Sequence, residues 1–274
     1  MAVKADSPLS DTTFVAFDLE TTGLTPVVDR IVEIGAVRFR KGEVRDTFQE
    51  LVDPEIPISA GATATNGITD DMVKGQPTIE KVLPEFIDFL SEDIPVAHHA
   101  PFDVGFLTYD ISRLNLTPAD RPVLDTCIIP KSLFPHAQGY SLEHLVAFLN
   151  IPVGVLHRAL ADAEGCMGLF NRCVDEIGGP EQTTIEDILD LNGPPLSLCS
   201  GEIVIEEPFL PIKRALEKGD ELEIRYQSAG GTVSIRKITP LSIGLFRDTA
   251  MIEAFCHLRK DNRNFRLDRI LEIR

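Results

Sequence analysis

The stretch that decides the fold is Phe14-Val15-Ala16-Phe17-Asp18-Leu19-Glu20-Thr21-Thr22-Gly23, an apolar run that ends in two acids. Successive side chains of a strand point to opposite faces, so Asp18 and Glu20 project from the same face. Two carboxylates this close repel each other, and the repulsion is several times larger near a protein interior than in water. Taken alone, the pair fits either a solvated strand end or a cation site at the end of a buried strand.

Two aspartates farther along the chain favour the cation site over the solvated strand end. Asp103 ends the hexapeptide H-H-A-P-F-D, residues 98–103, and Asp162 ends H-R-A-L-A-D, residues 157–162. Each lies at a predicted helix start, where a single aspartate commonly caps the helix or interacts with its dipole. Four hard oxygen donors together form a site for Mg²⁺ or Mn²⁺. Two such ions about 3.5–4 Å apart can hold the attacking and leaving oxygens of a phosphodiester.

His157 supplies a chemical group that the carboxylates lack. Its imidazole can accept a proton from water near neutral pH, although a histidine before a helix can also serve only as a hydrogen-bonding residue. The sequence therefore indicates His157 as the candidate base beside the four acids.

The surrounding pattern predicts an α/β fold with a mixed sheet flanked by helices. Apolar runs rich in β-forming residues predict strands, whereas apolar positions at helical spacing predict helices. The strands are predicted at 14–17, 31–39, 48–52 and 94–97, and the helices at 79–90, 102–114, 141–149, 159–177 and 184–191.

Charge and composition divide the chain. The net charge is −17, yet residues 1–192 carry −18 and residues 193–274 carry +1. Glycine- and proline-rich turns lie at 178–180 and 193–195. Beyond them the pattern predicts one helix, 209–217, and five short strands, 203–205, 221–226, 232–238, 249–254 and 264–267, that close into a small β-barrel. We therefore expect a first domain over 1–177, a linker over 178–200 and a second domain over 201–274.

Three motifs of the first part resemble those of the DnaQ-like (DEDD) 3′-to-5′ exonucleases. They are D-L-E-T-T-G, H-x-A-x-F-D and H-R-A-L-A-D, and together they cover roughly residues 13–176. The resemblance implies a ribonuclease-H-like fold in which Asp18, Glu20, Asp103 and Asp162 bind two divalent ions, Mg²⁺ or Mn²⁺. It also implies the histidine branch of the family, with His157 as general base, because a histidine stands five residues before the last aspartate.

The same resemblance implies contacts to the terminal nucleotide. Matching positions are Thr21, Thr22, Gly23, Leu24, Ile68 and Phe102. Two positions depart from the family pattern, since His99 stands where asparagine is usual and Asn66 where histidine is frequent.

The ending F-R-L-D-R-I, residues 265–270, resembles the WYL domain, which has an SH3-like barrel. The tripeptide that names this domain is replaced by Ala250-Met251-Ile252, and the chain contains no tryptophan. From Arg236 onward nine basic residues stand against five acids, so we expect Arg236, Arg263 and Arg266 to contact nucleic acid.

Composition excludes several classes of protein. A hydrophobic fraction of 43% and a charged fraction of 25% are those of globular proteins and exclude disordered or fibrous chains. No apolar run reaches the length of a membrane span, and no signal peptide is recognisable. The five cysteines form no C-x-x-C pair, which favours buried thiols in a reducing cytoplasm.

These observations predict a cytoplasmic 3′-to-5′ exonuclease that acts on single-stranded DNA ends and releases nucleoside monophosphates, without a membrane partner. Association with replication or repair proteins is a further expectation. Two alternatives stay open: an exoribonuclease that trims RNA 3′ ends, and a regulatory protein that senses a nucleotide or strand through the WYL-like domain.

Overall fold

The computed structural model describes residues 5–26, 28–199, 208–228, 231–246 and 249–274. They form two compact units. The first unit lies within residues 1–24, 31–104 and 117–199, and the second lies within residues 25–30, 105–116 and 200–274.

The first unit contains a six-stranded mixed sheet. The strands are β1 (Phe14–Thr21), β2 (Ile31–Arg40), β3 (Glu43–Leu51), β4 (Ile94–Ala97), β5 (Pro122–Asp125) and β6 (Leu196–Ser197). Their order is β3-β2-β1-β4-β5-β6, with β4 parallel to β1 and β2 antiparallel to it. β1 is thus an interior strand, which explains why its residues from Phe14 to Phe17 are all apolar and buried.

The helices in the described residues before 200 follow the predicted pattern and add three short ones. They are α1 (Ala60–Asn66), α2 (Asp70–Val73), α3 (Ile79–Leu90), α4 (Pro101–Arg113), α5 (Pro130–Leu133), α6 (Leu142–Phe148), α7 (Ala159–Glu176) and α8 (Ile185–Asn192).

α7 is the helix that matters most for the site. Ala159, Ala163, Cys166, Phe170 and Cys173 are buried along it at intervals of three or four residues, so they form one apolar face. That face packs on β1 and β2. Because the small side chains stand at the N-terminal end, the first turn of α7 can approach the sheet closely.

The second unit contains a five-stranded antiparallel sheet. Its strands are β7 (Leu222–Gln227), β8 (Val233–Phe246), β9 (Thr249–Cys256), β10 (Asp261–Arg266) and β11 (Ile270–Ile273), in the order β10-β9-β8-β7-β11. The helix α9 (Leu210–Lys218) places Ile212 in the same core as Ile224, Ile252 and Phe265.

The predicted closure of this sheet into a barrel is not seen, because no pairing between β10 and β11 joins its ends in the described part of the chain. Four of the five predicted strands correspond to β7–β10, and the strand predicted at 203–205 lies outside the described residues. β11 takes the fifth place. No helix within the described ranges is both long and apolar enough to span a membrane.

Candidate active site

Asp18 and Glu20 lie at the C-terminal end of β1, on the same face of the sheet, as the alternation of side chains predicts. In the antiparallel ladder with β2, Asp18 is opposite Gly35 and Glu20 is opposite Glu33. The register shifts between Glu20 and Thr21, so the regular ladder ends directly after the two acids. The strand therefore presents its carboxylates where it leaves the sheet.

Asp162 joins this pair from the first turn of α7. Asp18, Glu20 and Asp162 each offer one carboxylate oxygen, and these three atoms lie within 4.8 Å of one another. Gly35 makes the approach possible, because a Cβ atom there would lie under 3.0 Å from the backbone of Ala159 and Leu160. A strand and a helix start thus bring together acids that are distant in the sequence.

Asp103 lies in the first turn of α4, close to the other three acids. It is only 2% exposed, and its Oδ1 accepts a hydrogen bond of 3.1 Å from the backbone amide of Leu19. Asp103 also raises the pKa of Asp18 through its charge, although burial of Asp18 is the larger cause. All four predicted acids are therefore close together, with Asp103 fixed to the strand between Asp18 and Glu20.

Burial and mutual repulsion make the cluster electrostatically unfavourable without a cation. Burial raises the pKa of Asp18 well above its usual range, and Asp103, Asp162 and Glu20 add to this effect. Burial and Asp162 raise the pKa of Glu20 to about 7, against the opposing effect of a hydrogen bond from the Asn66 side chain. Burial also raises the pKa of Asp162 and of Asp103. A divalent cation would relieve this repulsion.

The donor set fits Mg²⁺ or Mn²⁺. Its members are carboxylate oxygens, which are the hard ligands that these ions prefer, and no histidine or cysteine side chain belongs to the cluster in the described residues. The three oxygens within mutual reach, with Asp103 behind them, are consistent with a site for divalent metal.

His157 lies on the loop directly before α7 and is exposed to solvent. Its backbone has φ of 71°, in the left-handed region that residues other than glycine adopt uncommonly. Its backbone amide donates hydrogen bonds of 3.1 and 3.3 Å to the two carboxylate oxygens of Asp162. The backbone of the candidate base is thus tied directly to one of the four acids.

The residues predicted to contact a nucleotide differ in accessibility. Leu24 is 77% exposed, Phe102 is half-buried, and Thr21 and Thr22 are buried beside the acids. Thr21 Oγ1 donates to the carbonyl oxygen of Gly23 and so shapes the turn after β1.

Ile68 has a different environment from the one predicted. It is fully buried in an apolar cluster with Val32, Ile58 and Val73, so its side chain has no surface with which to contact a nucleotide. Nearby Asn66 is also buried, and its side chain accepts a hydrogen bond from the backbone amide of Ile68. Asn66 Nδ2 also donates a hydrogen bond of 3.4 Å to the carbonyl oxygen of Thr21, so this segment contacts the end of β1.

No role was predicted from the sequence for Glu33 or for its partner Arg158. Glu33 is completely buried on β2, and it accepts hydrogen bonds from the guanidinium of Arg158 and the backbone amide of Ala159. The available signal was a single acid within the otherwise apolar run of residues 31–37, since a buried charge of this kind needs a partner.

The three arginines of the second unit lie in different surroundings. Arg263 is exposed on β10, whereas Arg266 forms a two-point ion pair with Asp268, with bonds of 3.0 and 2.7 Å. Arg236 is half-buried, and its Nε donates to Ser234. Of the three, Arg263 offers the most accessible charge.

Comparison with known proteins agrees with this geometry. The family model described as Exonuclease (RNase T) matches residues 15–170, and the WYL domain model matches residues 207–274. The predicted resemblances to DnaQ-like exonucleases and to the WYL domain are thereby confirmed.

Sequence relatives include DNA polymerase III of the PolC type. The protein of Halalkalibacterium halodurans is 40% identical over 173 residues, which cover 63% of this chain and 12% of that protein. The protein of Thermotoga maritima is 40% identical over 188 residues, covering 68% of this chain and 14% of that protein. The chain thus spans only a small part of the length of these relatives.

Among solved structures, exonuclease X in complex with 5′ overhanging duplex DNA is 30% identical, with a TM-score of 0.51. The match covers 66% of this chain and 99% of the exonuclease X chain. Escherichia coli exonuclease I in complex with a dA16 oligonucleotide is 16% identical, with a TM-score of 0.56, and covers 89% of this chain and 55% of its own. The second likeness concerns the fold alone. Because the family model matches more than half of its length, the chain belongs to the exonuclease family of RNase T.

Proposed function

We propose that this protein is a metal-dependent 3′-to-5′ exonuclease that removes nucleoside monophosphates from the ends of single-stranded DNA. The observation that carries the proposal is the cluster of Asp18, Glu20 and Asp162, whose oxygens lie within 4.8 Å of one another beside His157. The DNA in the solved structure of exonuclease X and the DNA polymerase III relatives support DNA as the substrate.

In this proposal Asp18, Glu20, Asp103 and Asp162 hold two divalent ions, which supply Lewis-acid activation of water and stabilisation of the departing oxygen. An imidazole nitrogen of His157 takes a proton from the attacking water. The water oxygen bonds to phosphorus, and the bond from phosphorus to the 3′ oxygen of the preceding nucleotide breaks. The departing 3′ oxygen takes up a proton from solvent, so the products are a nucleoside 5′-monophosphate and a strand shortened by one residue that carries a new 3′-hydroxyl.

Residues after β1 would receive the terminal nucleotide. The exposed Leu24 and half-buried Phe102 offer apolar surface to a base, while Thr21, Thr22 and Gly23 form the turn nearest the acids. Arg236, Arg263 and Arg266 are proposed as contacts of the WYL domain to a phosphate backbone, with Arg263 as the principal one.

We further propose the domain division 1–177, 178–200 and 201–274, and association with replication or repair proteins. The family models, which match residues 15–170 and 207–274, support the first point, and the DNA polymerase III relatives support the second.

The deciding experiment uses 5′-labelled single-stranded DNA, RNA of the same sequence and duplex DNA, each with Mg²⁺, Mn²⁺ or a chelator. We expect a ladder of DNA products shortened from the 3′ end, which is lost in chelator and in the Asp18→Ala variant. Preferential shortening of RNA would instead identify an exoribonuclease. Turnover retained by Asp18→Ala at saturating Mg²⁺ would refute the metal-dependent mechanism.

The role of His157 needs a separate measurement. His157→Ala is expected to lower the rate by about 10²–10⁴-fold while Mn²⁺ affinity is retained. His136→Ala is a suitable control, because His136 is an exposed histidine outside the cluster. Equal rates for the two variants would show that His157 only shapes the loop.

A further inference from the structure

Glu33 is a charged side chain in a fully buried position, and its contacts account for this. Arg158 Nε donates to Oε2 at 3.0 Å and Arg158 Nη2 donates to Oε1 at 2.6 Å, which forms a two-point ion pair. Gln49 Nε2 and the Ala159 amide donate further bonds of 3.0 and 3.1 Å. A buried carboxylate with four hydrogen bonds is compensated, whereas loss of one partner leaves an unpaired charge.

Glu33 also caps α7 from a neighbouring strand. Arg158 is the N-cap residue of α7, and its side chain makes no capping bond within the helix. The first amides of a helix have no partner within it, so they need an external acceptor. The carboxylate of Glu33 supplies that acceptor for Ala159. The start of β2 and the start of α7 are therefore joined by both a charge pair and a cap.

The first turn of α7 and the residue before it, which these bonds hold against β2, carry the groups proposed to act in the reaction. Arg158 follows His157 directly, and its carbonyl oxygen accepts the amide of Asp162 at 3.0 Å. The His157 amide in turn donates to the Asp162 carboxylate. In the sheet, Glu33 of β2 is the ladder partner of Glu20 of β1. Fixing Arg158 thus fixes His157 and Asp162 relative to Glu20.

We propose that Glu33 and Arg158 are positioning residues, which lock the start of α7 onto β2 and thereby set His157 and Asp162 against Asp18 and Glu20. The inference rests on the proposed exonuclease function. Neither side chain touches the substrate in this proposal. Their effect passes through the backbone of residues 157–162, where a displacement of about 1 Å can cost about 10²-fold in rate.

The test compares Arg158→Met and Glu33→Gln with a matched pair on the same strand. Arg38 Nε donates to Asp93 Oδ2 at 2.9 Å, and both of these side chains are partly buried. Arg38 lies five residues beyond Glu33, about 17 Å along β2. Arg38→Met therefore removes a similar ion pair far from the cluster.

We expect Arg158→Met and Glu33→Gln to lower kcat by about 10²-fold with KM for the strand changed less than about twofold. Arg158→Lys, which keeps the charge but not the planar two-point pairing, should recover part of kcat. Arg38→Met should leave kcat unchanged although it lowers Tm. Arg158→Met leaves the buried Glu33 carboxylate without its ion pair, whereas Glu33→Gln removes that charge and keeps the size of the side chain, so Glu33→Gln provides a second variant where Arg158→Met does not fold.

Hydrogen exchange and Mn²⁺ binding separate this inference from the proposed function. Exchange of the Ala159 amide should accelerate in Glu33→Gln, and Mn²⁺ affinity should fall in Arg158→Met but not in Arg38→Met. If the wild-type chain hydrolyses no nucleic acid, the proposed function fails. The Mn²⁺ affinity of the variants then tests by itself whether Glu33 and Arg158 position the cluster. Values of kcat and Mn²⁺ affinity in Arg158→Met equal to those of Arg38→Met would overturn the inference.

Discussion

A Cβ atom on Gly35 would overlap the backbone of Ala159, so the first turn of α7 rests directly on β2 opposite Asp18. That Cβ atom would meet backbone atoms of Ala159 and Leu160, so no side-chain rotation could relieve the clash. The distance between Asp162 and the acids of β1 therefore depends on the absence of a side chain at position 35.

Gly35→Ala should consequently displace the start of α7. We expect a loss of about 1–3 kcal/mol in the free energy of unfolding, typical of overpacking, together with a large fall in turnover. Urea denaturation and the DNA assay measure the two effects. Gly61→Ala is the control, because the nearest atom to a Cβ there is Ser59 Oγ at 4.0 Å. If Gly35→Ala matched Gly61→Ala in both measurements, the close approach would be unimportant.

The raised pKa of Asp18 implies that the metal-free protein is destabilised by its own site. When a carboxyl has a higher pKa folded than unfolded, its contribution to stability is present at low pH and is lost as the pH rises through the folded pKa. In chelator at pH 8, Asp18→Asn should therefore unfold at a higher urea concentration than the wild type, with a gain on the order of 1 kcal/mol or more.

The gain from Asp18→Asn should disappear below about pH 3, under the unfolded pKa of about 3.9, where the wild-type carboxyl is protonated in both the folded and the unfolded state. Asp88→Asn, which removes an exposed acid of α3, is the matched control and should show no comparable gain at pH 8. A destabilised Asp18→Asn at pH 8 in chelator would contradict the assignment of unrelieved repulsion at the cluster.

Metal affinity should depend on pH around neutrality. Because the pKa of Glu20 is raised to about 7, a cation that binds this oxygen must displace a proton at lower pH. Mn²⁺ affinity measured by calorimetry should fall by at least about tenfold for each pH unit below 7, since any further ligand that is protonated there adds to the loss. An affinity that stays constant between pH 5.5 and 8 would exclude Glu20 as a ligand that titrates in this range.

Asn66 provides an independent check on Glu20. Its side-chain hydrogen bond lowers the pKa of Glu20, so Asn66→Ala should shift the pH dependence of Mn²⁺ binding to higher pH. Thr65→Ala, a change on an exposed neighbour in α1, should leave the curve in place. A shift in the opposite direction would show that the amide of Asn66 does not stabilise the ionised carboxylate.

The arginines of the WYL domain differ in their expected contribution to strand binding. Arg263→Gln should weaken binding and reduce the slope of log affinity against log salt by about 0.7, the value for one phosphate contact on a single strand. Arg266→Gln should have a smaller effect, because Asp268 already compensates the charge of Arg266. An unchanged slope in the double variant would remove this domain from the binding surface.

Part of the fold and of the site could be predicted from the sequence, where periodicity and chemistry agree. The alternation that places Asp18 and Glu20 on one face is a property of any strand, and the apolar spacing that predicts a helix at 79–90 matches α3. The motif acids could be grouped because their chemistry needs partners. Their distances could not be predicted, since these depend on the packing of α7 on β2.

Other features of the fold and of the site could not be predicted from the local sequence. β3 begins at Glu43, five residues before the predicted strand, because its first half is exposed and charged and lacks an apolar alternation. The burial of Ile68 follows from a cluster with Val32, Ile58 and Val73, which only the fold brings together. Likewise Glu33 gained its role from Arg158, a residue far along the chain.

The scattered origin of the four carboxylates has a thermodynamic consequence. Asp18, Asp103 and Asp162 lie on three separate elements, so the unfolded chain has no comparable binding site. An ion that binds the cluster then binds only the native protein. At a free ion concentration of 100 times Kd, this binding would add about 2.7 kcal/mol to the free energy of unfolding. The melting temperature would therefore report the occupancy of the cluster by metal, without any nucleic acid.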